Sequence, residues 1–189
     1  MQSNSSSPRS VVQCLISAFD VVAGRVKPDD VFDYSAQGFW QAVLTNWVLG
    51  LVLAVLPLFA LGGDFVILFM VISLVSILLY CLLVWHALVF MGRADRFTRF
   101  LVPYLWVGAL QVVLFGLVTV ALQMTGLALL QILILPIAVW ILIWLFRLAR
   151  DQIGTTAFAA VCFVVGRFAV ELVIGLLAGV QTVSQQSSE

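Results

Sequence analysis

Charge is scarce in this chain. Only 10% of its 189 residues are Asp, Glu, Lys or Arg, and nine acidic side chains balance nine basic ones. Soluble domains are about a quarter charged, so a water-soluble globular fold is excluded. A zero net charge also offers no basic surface to nucleic acid. Histidine occurs once, as His86, and cysteine three times, as Cys14, Cys81 and Cys162. One histidine without Cys, Asp or Glu at ligand spacing makes no metal site. Three cysteines in apolar surroundings make no disulfide framework and are expected to be buried small hydrophobes. Acylation of Cys14 is the alternative if its helix lies on a membrane. There is no Ser/His/Asp set, no HExxH, no phosphate loop and no pair of carboxylates for acid–base work. No catalytic, cofactor-binding or metal-binding residue is therefore assigned, and the chain is not expected to be an enzyme. Lysine is nearly missing as well. Lys27 stands alone among the nine basic residues, a bias that, with much Ala, Val, Leu and Gly, fits a bacterial source with a GC-rich genome.

What abounds is apolar. Hydrophobic residues make up 63% of the chain and the mean hydropathy is +1.18. The expected fold is all-α: a polytopic transmembrane bundle of five helices with an N-terminal amphipathic surface helix. Residues 1–9 read as a disordered tail, polar, Ser-rich and without the basic start of a secretory signal. Residues 10–35 hold the amphipathic helix and an acidic connector. In Ser10–Gly24, Val11, Leu15, Phe19 and Val22 recur at helical spacing and are expected to face the membrane, with Gln13, Ser17 and Asp20 opposite. Ser10 suits the N-cap and Gly24 the end, and the helix is too short to span. In the connector Pro28 is expected to break structure. Asp29, Asp30 and Asp33 lack the further oxygen ligands of a calcium loop and read as a solvated acidic turn, after which Ser35 caps the next helix.

Residues 36–180 form the expected five-helix membrane domain, each run long enough to cross a bilayer. The spans are Gly38–Leu61, Phe65–Met91, Phe100–Gln123, Leu127–Phe146 and Thr155–Val180. Pro103 is expected in the first turn of the third and Pro136 inside the fourth. Gly62-Gly63-Asp64 and Met124-Thr125-Gly126 read as turns, Gly92–Arg99 and Arg147–Gly154 as basic loops. Residues 181–189 read as a second disordered tail. All basic residues except Arg167 precede the first span or lie in those two loops, so the N-terminus is expected in the cytoplasm and the C-terminus on the far side. The localisation that follows is integral to a membrane, the bacterial inner membrane.

Arg167 is the exception that organises the rest. An Arg near the middle of a span is costly unless protein or water shields it, and Glu171 follows one turn later. With a rise of about 1.5 Å per residue, Ser76, Gln111 and Arg167 fall at similar depth, with Glu171 and Gln131 somewhat beyond. Arg167, Glu171, Gln111 and Ser76 are thus the candidate intramembrane polar site. Thr156, Ala160, Arg167, Glu171, Gly175 and Ala178 share a small, polar stripe expected to face the bundle. Phe158, Val165, Leu172 and Leu176 lie opposite, towards lipid.

The stretch Phe32-Asp33-Tyr34-Ser35-Ala36-Gln37-Gly38-Phe39-Trp40, followed by five spans with the C-terminus outside, resembles the lead-in to the first span of Yip-type five-span membrane proteins of the uncharacterised bacterial branch. The resemblance implies a membrane fold and no catalytic residues. Eukaryotic members bind small GTPases and act in vesicle traffic; this chain is read as lacking their long cytosolic N-terminal domain, so that role is not expected of it. The functional expectation is a non-enzymatic scaffold or accessory subunit of a membrane assembly. Its partners are the lipid bilayer and other membrane subunits, and it needs no cofactor. The alternative is a small transporter or channel component using the Arg167/Glu171 site.

Overall fold

A computed structural model describes residues 10–58, 63–125, 132–154 and 156–186. Among these the protein is all-helical, with α1 (Val11–Val22), α2 (Pro28–Val31), α3 (Ala36–Leu58), α4 (Gly63–Phe90), α5 (Phe97–Thr125), α6 (Ile134–Ile153) and α7 (Ala157–Gln186). A 3-10 turn, Ala94–Arg96, leads into α5. The expected N-terminal tail 1–9 lies outside the described residues, as do Gly62, Gly126 and Gln131. Two stretches, Met70–Phe90 and Ala94–Leu122, are long and apolar enough to cross a membrane.

Local chemistry sets several helix ends where the sequence places them. Ser10 Oγ accepts the Gln13 amide and Gln13 returns the bond to the Ser10 amide, a reciprocal cap that opens α1. Gly24 ends it at φ +74°, with the Gly24 amide on the Val21 carbonyl and the Arg25 amide on the Asp20 carbonyl. The stretch before α3 folds around its own side chains. Asp33 Oδ1 accepts the Ser35 amide, Ser35 Oγ donates to Asp33 Oδ2 and accepts the Gly38 amide. The Asp33 carbonyl oxygen lies 2.1 Å from where a Cβ on residue 38 would stand, so only glycine fits. The connector is not shapeless. Pro28 opens α2 rather than breaking structure, since the first helical position needs no N–H.

Other ends move. The basic loop expected at Gly92–Arg99 shrinks, because α5 starts at Phe97 and places Pro103 inside the helix. The loop expected at Arg147–Gly154 is the last two turns of α6, which stop only at Gly154, φ +66°. Arg, Leu, Ala and Gln are good helix formers, so polarity there does not end the helix. At its other end Pro136 falls in the first turn of α6. The C-terminal tail expected from residue 181 is helical through Gln186, as no Gly or Pro interrupts 181–186.

The helices group into two compact units. One comprises the described residues of Met1–Leu53 and Leu101–Trp144, the other those of Ala54–Phe100 and Leu145–Glu189. In the first, α5 is buried almost all round from Leu101 to Leu110, and Ala42 and Val43 of α3 are buried with it. Asn46 of α3 donates to the Leu105 carbonyl at 2.8 Å. Gly108 leaves room for that amide, since a Cβ there would stand 2.7 Å from Asn46 Nδ2. On α1, Cys14, Ala18, Val21 and Val22 are buried, while Val11 and Phe19, two of the residues expected to face the membrane, are exposed on the protein surface. The small side chains at 14 and 18 let the helix lie close to its neighbours, which the wider Val11/Phe19 side does not.

Candidate functional site

In the second unit α4 and α7 pack side by side. On α4 the buried side chains are Ile77, Tyr80, Cys81, Val84 and Leu88, a stripe at helical spacing, with Ser76 buried at its edge. Among the described side chains of α7, Ala160, Phe163 and Val170 are buried, again on one face, and Arg167 lies half-buried on it. Phe158, Val165 and Leu172 point away, as their spacing predicts. Thr156 starts α7, its Oγ1 accepting the Ala159 amide at 3.4 Å.

Tyr80 is the centre of this contact. Its side chain is 1% exposed, and its hydroxyl donates to the Phe163 carbonyl at 3.2 Å. The guanidinium carbon of Arg167 stands 5.7 Å from the centroid of the same ring. An aromatic face carries negative potential, so a cation over it is attracted, by up to about 2 kcal/mol where water is excluded. The Phe163 ring in turn meets Phe100, centroids 5.5 Å apart. One phenol thus holds α7 by its edge and shields its arginine by its face.

The four residues expected to form a polar layer are treated unevenly. Arg167 and Ser76 belong to this unit, Ser76 one turn before Tyr80 on α4. Gln111 is half-buried on α5 and belongs to the other unit. Glu171 follows Arg167 on α7, but its side chain lies outside the described residues, as do the surroundings of Gly175 and Ala178. The residue that sequence reasoning passed over is Tyr80. Tyrosine favours the ends of membrane helices, so one in the middle of an apolar run is itself a signal. Four other polar side chains of the long helices bond within their own helix. Ser73, Thr119 and Thr125 donate to carbonyls three or four residues back, and His86 Nδ1 meets the Leu82 carbonyl at 2.8 Å. Cys14 and Cys81 are buried as expected, but Cys162 is exposed, on the opposite side of α7 from Ala160.

A second polar locus joins the ends of helices in the same unit. Arg93 donates through Nη1 to the carbonyls of Ile153 and Gly154. Arg96 Nη1 donates to Gln152 at 3.2 Å. These carbonyls close the C-terminal end of α6, where orphaned acceptors and the helix dipole both favour a cation. Two of the arginines that set the expected orientation therefore also act as a cap.

The chain matches no family model, no curated protein and no solved structure. The helices define its class: an all-helical protein in which two helices of the described residues have the length and composition to cross a membrane.

Proposed function

We propose that the protein is a five-span integral membrane protein with its N-terminus in the cytoplasm, acting without catalysis as a scaffold or accessory subunit of a membrane assembly. The observation that carries this reading is the disposition of α4 and α7. Their polar chemistry is turned on itself through Tyr80, Phe163 and Arg167, while Val75, Leu82, Phe158 and Leu172 face outward. A pair built this way offers bulky apolar surface to lipid or to another membrane helix, and keeps its one arginine as a fastening. The likeness of the lead-in at Phe32–Trp40 to Yip-type proteins supports the same span count, and the loop arginines support the orientation.

The reading is tested in two parts. A reporter active only outside the cytoplasm should be active when fused after Glu189 and silent in the Gly92–Arg99 loop; the reverse pattern overturns the orientation. Scaffold and transporter separate at Arg167. In a chain without native cysteines, Arg167→Cys and Ser76→Cys should resist a water-soluble thiol reagent in intact vesicles. Rapid labelling at both would replace the scaffold by an aqueous pathway suited to an anionic or proton-linked substrate. Purification in mild detergent should then yield a membrane subunit at fixed stoichiometry.

A further inference from the structure

The helix α1 is apolar on two sides. Cys14, Ala18 and Val21 are buried, whereas Val12, Ile16 and Phe19, each two positions earlier, are 64%, 58% and 41% exposed. Two residues turn a helix of 3.6 residues per turn by about 200°, so the second stripe lies on the side opposite the first. Gln13, Ser17 and Asp20 fill the arc between them.

We propose that Val12, Ile16 and Phe19 lie among the acyl chains of the cytoplasmic leaflet while Cys14, Ala18 and Val21 hold α1 to the protein. This rests on the membrane reading above and names what covers the exposed stripe. Three observations choose lipid as the occupant. The first is continuity: the Phe19 ring meets Trp140 of α6 edge-on, centroids 6.2 Å apart. Trp140 in turn belongs to an outward side of α6 that also exposes Leu135, Val139 and Ile143. The stripe therefore extends an apolar surface of a long helix instead of standing alone. The second is charge. Arg25 and Lys27, both exposed, follow the helix directly, where lipid phosphates would lie, and such residues draw a segment to anionic lipid. The third is the Arg25 guanidinium itself, 5.9 Å from the Phe19 centroid and 3.1 Å from Asp20 Oδ1. It caps the apolar stripe with charge at the level where hydrocarbon gives way to headgroups.

The test uses the full chain without native cysteines, in vesicles of phosphatidylcholine and phosphatidylglycerol, carrying one fluorophore at a time. Labels on Val12→Cys, Ile16→Cys and Phe19→Cys should be quenched several-fold more by a lipid-borne quencher than by a water-borne one. Labels on Gln13→Cys, Ser17→Cys and Asp20→Cys should show the opposite preference. Val75→Cys and Leu82→Cys, on the outward side of α4, report on the membrane reading independently. If they are lipid-quenched while the α1 stripe is open to water, this inference falls and the membrane reading stands. If the α1 stripe is shielded from both quenchers, a second protein surface covers it, and the inference falls again. Water-quenched labels on α4 would remove both.

Discussion

Arg167 and Tyr80 meet as cation and ring, with the guanidinium carbon 5.7 Å from the ring centroid, while the Tyr80 hydroxyl binds the backbone of α7 one turn before that arginine. The two contacts are separable. Tyr80→Phe removes only the hydrogen bond and should cost about 1 kcal/mol. Tyr80→Leu removes the ring as well and should cost more, and its effect should be smaller when Arg167→Met is already present. Thermal unfolding in mild detergent gives the cycle, with an expected coupling of about 1–2 kcal/mol. Additive losses would mean that the ring and the guanidinium do not interact.

Glycines 38 and 50 sit in one helix but should answer oppositely to alanine. At Gly38 the Asp33 carbonyl occupies the Cβ position, whereas nothing lies within 4 Å of a Cβ at Gly50. Gly50→Ala should stabilise by up to about 1 kcal/mol through helix propensity. Gly38→Ala should destabilise by more than Ser35→Ala, whose lost cap costs about 1 kcal/mol. Melting temperatures of the three variants decide the order. A neutral Gly38→Ala would show that the start of α3 can rearrange freely.

Asn46 and Gly108 form a matched pair across α3 and α5. Gly108→Ala puts a methyl 2.7 Å from the Asn46 amide nitrogen and should break its bond to Leu105, costing about 1–2 kcal/mol. Adding Asn46→Ala removes the side chain in the way, so the double variant should be no less stable than Gly108→Ala alone. If the losses simply add, the two positions are independent.

At the end of α6 one guanidinium nitrogen of Arg93, Nη1, donates to two carbonyls. Arg93→Met, which keeps the apolar stem and removes both bonds, should lower stability by about 1–3 kcal/mol. Gly154→Ala should cost about 1–2 kcal/mol for its positive φ and also crowd Arg93, since its Cβ would stand 3.2 Å from Nη1. Combined, the two should cost less than their sum. Hydrogen exchange at the last amides of α6 should quicken in each single variant; unchanged exchange would rule out the cap.

The sequence specifies what short-range chemistry decides. Long apolar runs without breakers become helices, Ser10 and Ser35 open two of them, and Gly24 closes one, because the groups involved are at most a few residues apart. It misplaced the ends of α5 and α6 because hydropathy marks where apolar residues stop, while a helix stops where its backbone must turn, at Gly154 for α6. Tertiary structure alone decided which side of each helix faces protein. For α1 both the Cys14 and the Ile16 sides are apolar, and packing chose the smaller. It also chose the partners of the polar groups: Tyr80 with Phe163, Arg93 with Ile153 and Asn46 with Leu105 are 83, 60 and 59 residues apart. No local pattern specifies such pairs. They exist because close-packed helices bring a side-chain donor of one to a backbone acceptor of another, and a buried polar group must find whatever partner that packing provides.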